Sequence, residues 1–349
     1  MLTRRERVCR ALRHQQPDVV PWDIGVTQHA LQQLALYQGD PHLDDPAYFG
    51  HWVGNHLKGI ETTSRGQFHG LEEEVSSGRW RDGWGVIWDT RGLYGEGEWG
   101  RPVNCVLPRP SLAHYRFPDP PPPEAYAHYP QAIARDRGYF MIGGEGHLFE
   151  VAWALRGMEE FLQDMLLHPE FVEELLTEIT EYYLAVIEDS LKYDVDAFSF
   201  GEDWGSQSKG LIMGPRLWRR FLKPHLARMF ARVKEEGRFV HIHSDGDASA
   251  IFGDLIEIGL DIYNPFQPEI MDVYALKRQH GDRLSFHGGI GIQELLPFGT
   301  PEQVKSEVRR LIREVGAGGG YILGPSHAVL TDTPTRNLVA LIEAVQEQS

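Results

Sequence analysis

From residue 139 onward the chain repeats one pattern. A short apolar, β-branched or aromatic run is followed by a longer stretch with helical periodicity. The strand-like runs are YFMIGGEG (139–146), AFSFGEDW (197–204), FVHIHSDG (239–246), IYNPFQ (262–267), LSFHGGIG (284–291) and YILGPSH (321–327). Amphipathic stretches lie between them, clearest at 170–192, 248–259 and 301–316, and a last one near 334–347 closes the chain. Strands joined by helices lie parallel, because the helix carries the chain back to the end of the sheet where it started. VVPWDIG (19–25) and one further strand expected within residues 50–110 bring the count near eight. The expectation is an α/β fold, a (β/α)8 (TIM) barrel, with residues 1–349 forming one domain. No G-x-G-x-x-G or Walker A motif follows the strand-like runs from residue 139 onward, which counts against an open nucleotide-binding sheet.

The first 138 residues are less regular. Residues 1–16 read as a short amphipathic helix ending before Pro17; they lack the apolar stretch of a secretory signal. Residues 26–138 are rich in Gly, Trp and Pro and read as irregular insertions or a lid within the barrel domain. RDGWGVIWDTRGLY (81–94) suggests a hairpin, and the set Trp80, Trp84, Trp88, Tyr94 and Trp99 reads first as core or as a lid under a long loop, and second as the lining of a pocket for an aromatic or macrocyclic substrate. FPDPPPPEAY (117–126) cannot be helix or central strand, because proline lacks the N–H and fixes φ. It reads as a rigid surface connector.

Composition narrows the function classes. The apolar fraction of 42% suffices for a large core, and no run of about 18 apolar residues marks a membrane span. A net charge of −16 argues against a nucleic-acid backbone as partner, since phosphate binding needs a basic face. Cys9 and Cys105 cannot build a disulfide framework, so a cytoplasmic location is expected.

Each late strand ends in polar residues: Glu145; Glu202 and Asp203; His243 and Asp245; Asn264 and Gln267; His287; His327. In a parallel barrel all these ends gather at one rim, where sites are built. Helix capping explains Asp247, before ASAIF, but histidines are poor caps, and His243, His287 and His327 need another reason. His241 is two residues deeper and reads as a core histidine or a support for His243. Asn264, Gln267 and His287 read equally well as substrate partners or as polar packing inside the barrel. GAGGGY (316–321) leads into a strand, so it reads as a helix end and tight turn rather than a phosphate loop.

Three segments, FGEDWGSQSKGLIMGPRLWRRFLKPHL (200–226), HSDGD (243–247) and GPSHAVLTDTPTRN (324–337), carry a specific resemblance. With them the chain from residue 139 resembles the uroporphyrinogen decarboxylase superfamily; TRRERVCRALRHQQPDVVPW (3–22) resembles its opening segment more weakly. The resemblance implies a (β/α)8 barrel and one of two activities. In the decarboxylase branch an N-terminal arginine motif holds a tetra-anionic tetrapyrrole, and His327 falls at that branch's site histidine. The matching stretch here, PWDIGVTQHALQQL (21–34), contains no arginine, whereas such a substrate calls for bidentate cations. In the other branch, zinc methyltransferases work with a separate corrinoid protein. His243-Ser244-Asp245-Gly246 aligns with their H-x-C-G segment, and His327 stands at their later cysteine. The resemblance therefore implies a zinc or other divalent metal site of His243, Asp245 and His327, and it lies closer to this branch.

The exchange of ligands alters the chemistry. Zinc with one His and two thiolates is formally neutral, whereas zinc with two His and one carboxylate keeps a positive charge and is the stronger Lewis acid. That suits polarising an ether oxygen. The expected function is a metal-dependent methyltransferase, acting as an O-demethylase on a small methoxy compound, with the corrinoid supplied by a partner protein. Glu202 or Asp203 would serve as a fourth ligand or a general acid, His287 would join them in catalysis, and Glu145, Asn264 and Gln267 would bind substrate. Two alternatives stay open. One is a metal-free decarboxylase using His243, Asp245 and His327 as an acid–base set. The other is a non-catalytic barrel that binds a tetrapyrrole or a corrinoid protein. A homodimer is common in the resembled family.

Overall fold

A computed structural model describes residues 2–60, 73–91, 100–208 and 210–348. Seven parallel strands form one curled sheet in sequence order: β1 (Leu57–Ile60), β6 (Phe140–Gly146), β7 (Ala197–Gly201), β8 (Phe239–His243), β9 (Ile262–Phe266), β10 (Ser285–Ile290) and β11 (Tyr321–Pro325). Residues 20–24 take the eighth position. Asp23 N–H donates to Leu323 O (2.9 Å), Leu323 N–H to Pro21 O (2.9 Å), and His56 N–H, just before β1, to Trp22 O (3.0 Å). This segment joins β11 to β1 and closes a (β/α)8 barrel. The strand expected within 50–110 is β1, and the other strands lie where the apolar runs placed them.

The alternation of side chains explains the interior. In β8, Val240 and Ile242 point outward and are fully buried under the helices, while Phe239, His241 and His243 point inward. The lowest inner layer is apolar: Leu57, Phe140, Ala197, Ile262 and Ile322. The N-terminal helix Arg4–Leu12 plugs it from below with Val8 and Leu12, each contributing about 1.5–3 kcal/mol by leaving water. A capping box between Thr3 and Glu6 starts that helix. Above this layer the interior turns polar. His241 meets the Ser199 hydroxyl at 2.9 Å, and His287 lies beside it with ring centroids 5.9 Å apart.

The segment before residue 139 adds a second sheet. Strands β2 (Glu73–Ser76), β3 (Arg79–Arg81), β4 (Ile87–Asp89) and β5 (Arg101–Pro102) are antiparallel, with Trp80 opposite Trp88. Trp84 packs edge-on against Tyr182, on the long helix Pro169–Ser190. Trp84 and Trp88 are buried, whereas Tyr94 and Trp99 lie outside the described residues. The proline-rich connector leads into a 3-10 turn, Pro123–Tyr126, whose Tyr126 is buried. The glycines of GAGGGY form the turn after the helix Pro301–Glu314; Gly318, Gly319 and Gly320 all have positive φ, which residues with a Cβ resist. Among the described residues, no helix is long and apolar enough to cross a membrane.

Candidate active site

The C-terminal strand ends open into a cavity of about 950 Å³. His243, Asp245 and His327 stand together on its wall, and one ligand atom from each lies within 4.8 Å of the others. His243 Nε2 is 3.7 Å from Asp245 Oδ1, and the rings of His243 and His327 are 5.5 Å apart. Two ligands of a tetrahedral zinc are separated by roughly 3.3 Å, given bonds of about 2.0–2.1 Å. The atoms of the triad stand wider than that spacing, so the three side chains would have to draw together around an ion. The His243 and Asp245 side chains are 29% and 33% exposed, so both are reachable from the cavity.

The hydrogen bonds fix the His243 tautomer. Asn264 Nδ2 donates to His287 O at 3.1 Å, which leaves Asn264 Oδ1 as an acceptor. His243 Nδ1 lies 2.7 Å from that oxygen and must carry the hydrogen. In the neutral ring its Nε2 then holds the lone pair and faces Asp245. A histidine that ligates a metal is held this way, by an acceptor on its other nitrogen. Asn264 itself is given to His243; it does not line the cavity. At His327 the Ala328 N–H donates to Nδ1 at 2.8 Å. Burial disfavours a protonated His243, but the carboxylates of Asp245 and Asp203 outweigh it and raise the pKa. His327 moves the other way, lowered by burial and then by the charge on His243.

Two loops hold the triad in place. Asp245 N–H donates to Asp203 Oδ1 at 2.8 Å, and Gly205 N–H to Asp245 O at 3.1 Å. A Cβ on Gly205 would stand 2.2 Å from the Gly246 carbonyl carbon, so the GEDWG and HSDGD loops can cross only as glycine on glycine. Burial, and then the negative Glu150, push the Asp203 carboxyl up to about 6 against the pull of His243. Glu202 is 1% exposed. Its oxygens accept the N–H groups of Leu148 and Phe149 (the latter at 2.9 Å), where the helix Phe149–Arg156 begins. Burial raises it to about 8, and those two bonds pull the other way without overcoming it.

Glu145 also lines the cavity, 3.5 Å from His147 Nε2. His147 Nδ1 lies 3.0 Å from Gly201 O, the hydrogen being on nitrogen. Burial opposes charge on both groups. Their mutual attraction nevertheless holds Glu145 at about 2 and raises His147 to about 9. Gln267 donates to Gln207 Oε1 at 3.1 Å, and Gln293 donates to the same oxygen at 3.3 Å. His287 sits below the floor: it does not line the cavity, and its Nδ1 has no hydrogen-bond partner. Burial lowers it to about 4. Sequence reasoning missed His147, Glu150, Ser326 and Asp332 on the wall. His147 carried the signal used for the others, a histidine at a strand end, but lay one residue past the run that was read as strand.

A family model described as uroporphyrinogen decarboxylase (URO-D) matches residues 133–348. The chain belongs to the uroporphyrinogen decarboxylase family. Within that family it is 24% identical over 189 residues to a uroporphyrinogen decarboxylase of Chlorobaculum tepidum, covering 53% of this chain and 51% of that protein. It is 25% identical over 199 residues to a methylated-thiol–coenzyme M methyltransferase of Methanosarcina mazei, covering 57% of this chain and 51% of that protein. The chain thus spans about half the length of the curated relatives it matches. A solved methyltransferase from Methanosarcina mazei shares the fold over 99% of both chains, with a TM-score of 0.71 at 19% identity.

Proposed function

We propose that this URO-D family member is a metal-dependent methyltransferase that demethylates a methoxy compound and passes the methyl group to a corrinoid on a separate protein. The observation that carries the reading is the triad of His243, Asp245 and His327, in which Asn264 leaves His243 Nε2 unprotonated toward Asp245. When bound, the metal supplies Lewis acidity at the ether oxygen, and the partner's reduced corrinoid supplies the electron pair that takes the methyl group. The oxygen–methyl bond breaks with its electrons left on oxygen. Asp203, whose carboxyl lies near 6, and His147, which stays an imidazolium to about 9, are the proton donors on the wall for that oxyanion. Glu202 positions the helix behind His147 through Leu148 and Phe149. Glu145 and Gln267 contact substrate.

Decarboxylation, the activity named in several relatives, is the second reading. His147 favours it, since a protonated ring could deliver the proton that replaces carbon dioxide. The wall opposes it for a polycarboxylate, because among the described residues no lysine or arginine lines the cavity. Metal content decides between the two. Protein purified without chelator or nickel, measured by mass spectrometry beside His243→Ala and His327→Ala variants, should hold about one zinc per chain that the variants lose. No stoichiometric metal in the unmodified protein would sink the methyltransferase reading and leave acid–base decarboxylation.

A further inference from the structure

We infer that the plugged end of the barrel carries a second binding site, for the phosphate group of a small molecule. The site lies beside the N-terminal helix Arg4–Leu12, at the start of β8, whereas His243 and the active-site cavity lie at the far end of that strand. A cavity of about 540 Å³ opens there. Four arginines line it, Arg5, Arg10, Arg13 and Arg238, against two carboxylates, Glu6 and Asp196. In a chain of net charge −16 this is a local reversal of sign. No residue of the metal triad takes part, so the inference stands apart from the methyltransferase reading.

The charges at this site do not cancel. Both Asp196 oxygens are taken, Oδ1 by Arg5 Nε at 2.8 Å and Oδ2 by the Met141 N–H at 2.9 Å. Glu6 caps its own helix, accepting the Thr3 N–H at 2.7 Å and the Thr3 hydroxyl at 2.9 Å. Arg5 and Arg238 share one further oxygen, Asp194 Oδ1, at 3.3 and 3.4 Å. Arg10 and Arg13 are exposed, and their side chains make no ion pair or hydrogen bond among the described residues. Arg238 Nε is buried without a hydrogen-bond partner, a costly state for a donor unless a ligand meets it. Cations at a helix C-terminus also suit its dipole, but that does not account for Arg238, which faces the same cavity from another element. A guanidinium offers paired N–H groups that match phosphate oxygens two at a time. Phe239 gives the cavity an apolar side for the body that carries the phosphate. A concave site takes such a head group rather than an extended nucleic-acid backbone, which the overall charge repels.

The test is binding, read by calorimetry at low salt with phenyl phosphate, phenyl sulfate and inorganic phosphate. Phenyl sulfate has nearly the shape of phenyl phosphate and, at about pH 8, one negative charge fewer. Phenyl phosphate should bind at least about ten-fold tighter than phenyl sulfate, with the advantage shrinking as salt is added. Arg10→Gln and Arg13→Gln should each weaken phenyl phosphate about five-fold or more, with thermal unfolding in the absence of ligand confirming that both are folded. Arg216→Gln, which removes a positive charge from a helix that does not line this cavity, should leave its affinity unchanged. So should His243→Ala, which separates this site from the metal site. If phenyl phosphate binds tighter than inorganic phosphate, the site belongs to a phosphate ester; equal affinity assigns it to the free ion, and both outcomes uphold a phosphate site. No binding of phenyl phosphate, or phenyl sulfate bound as tightly, overturns the inference. So does full affinity in Arg10→Gln and Arg13→Gln, an equal loss in Arg216→Gln, or loss of binding in His243→Ala.

Discussion

Replacing Asn264 by leucine separates a metal ligand from a buried histidine that merely sits near a carboxylate. Among the described residues Asn264 is the acceptor for His243 Nδ1–H, at 2.7 Å, and its own amide is pinned on His287 O. Leucine keeps the branched shape but leaves that N–H facing carbon. The hydrogen then moves to Nε2, the nitrogen a metal needs, or the ring turns away from Asp245. Partners of this kind contribute about ten- to hundred-fold to metal affinity, or about 1.4–2.7 kcal/mol. Asn264→Leu should therefore weaken zinc by that factor. Asn264→Asp, which still accepts the Nδ1 hydrogen and adds negative charge, should hold zinc at least as tightly as the unmodified protein. Competition against a chromophoric zinc chelator measures both, with thermal unfolding confirming that each variant is folded. If Asn264→Leu binds zinc within about three-fold of the unmodified protein, or Asn264→Asp falls as far as leucine does, then His243 Nε2 is not a ligand.

Two further predictions concern the fold around the site. His56, 1% exposed beneath Trp22, is lowered to about 3 by burial, against an ordinary value of 6.5. The folded protein keeps it neutral while the unfolded chain protonates it, so its contribution is fully present above about pH 6.5 and is lost as pH falls toward 3, a total of about 5 kcal/mol. Urea unfolding between about pH 7 and pH 5 should show a shallower acid limb in His56→Gln, by about 1 kcal/mol per pH unit on average; an unchanged slope refutes the assignment. Glu202→Gln puts an amide N–H against the backbone N–H of Leu148 or Phe149. It should cost about 1–3 kcal/mol in unfolding free energy while zinc stoichiometry stays unchanged, and loss of zinc would make Glu202 a ligand instead.

The barrel was legible because its signal is periodic and repeated. Val240 and Ile242 alternate with His241 and His243 along one strand, and that alternation alone puts both imidazoles on the inner face. The eighth position was harder, since residues 20–24 hold the barrel through only a few backbone bonds around Trp22 and Asp23. The triad was legible because strand ends converge in any parallel barrel. What decides its chemistry was not. Asn264 and Gln267 look alike in sequence, yet one orients His243 and the other binds a neighbouring glutamine on the wall. Glu202 and Asp203 are adjacent, yet one anchors a helix and the other meets the HSDGD loop. Such differences depend on which way each side chain turns as its strand ends, where the period of two no longer holds.

The two chemistries open to this family divide on where the site finds positive charge. A decarboxylase for a polycarboxylate needs several fixed cations to hold the carboxylates it keeps. Among the described residues the wall has no lysine or arginine, and the strongest fixed cation among them is the His147 imidazolium, which Glu145 already neutralises. A methyl ether needs positive charge at one point only, its oxygen, and only while the bond breaks. Three neutral or singly charged ligands around a dication provide that without arginine. The same carboxylates that would repel a tetrapyrrole's side chains then become useful, because they draw a dication into the triad and leave the rest of the cavity negative. On the proposed reading, the lack of arginine in residues 21–34 and the carboxylates gathered at the rim act in one direction: both disfavour an anionic substrate, and together they would leave a metal and its ether as the occupants the charge distribution favours.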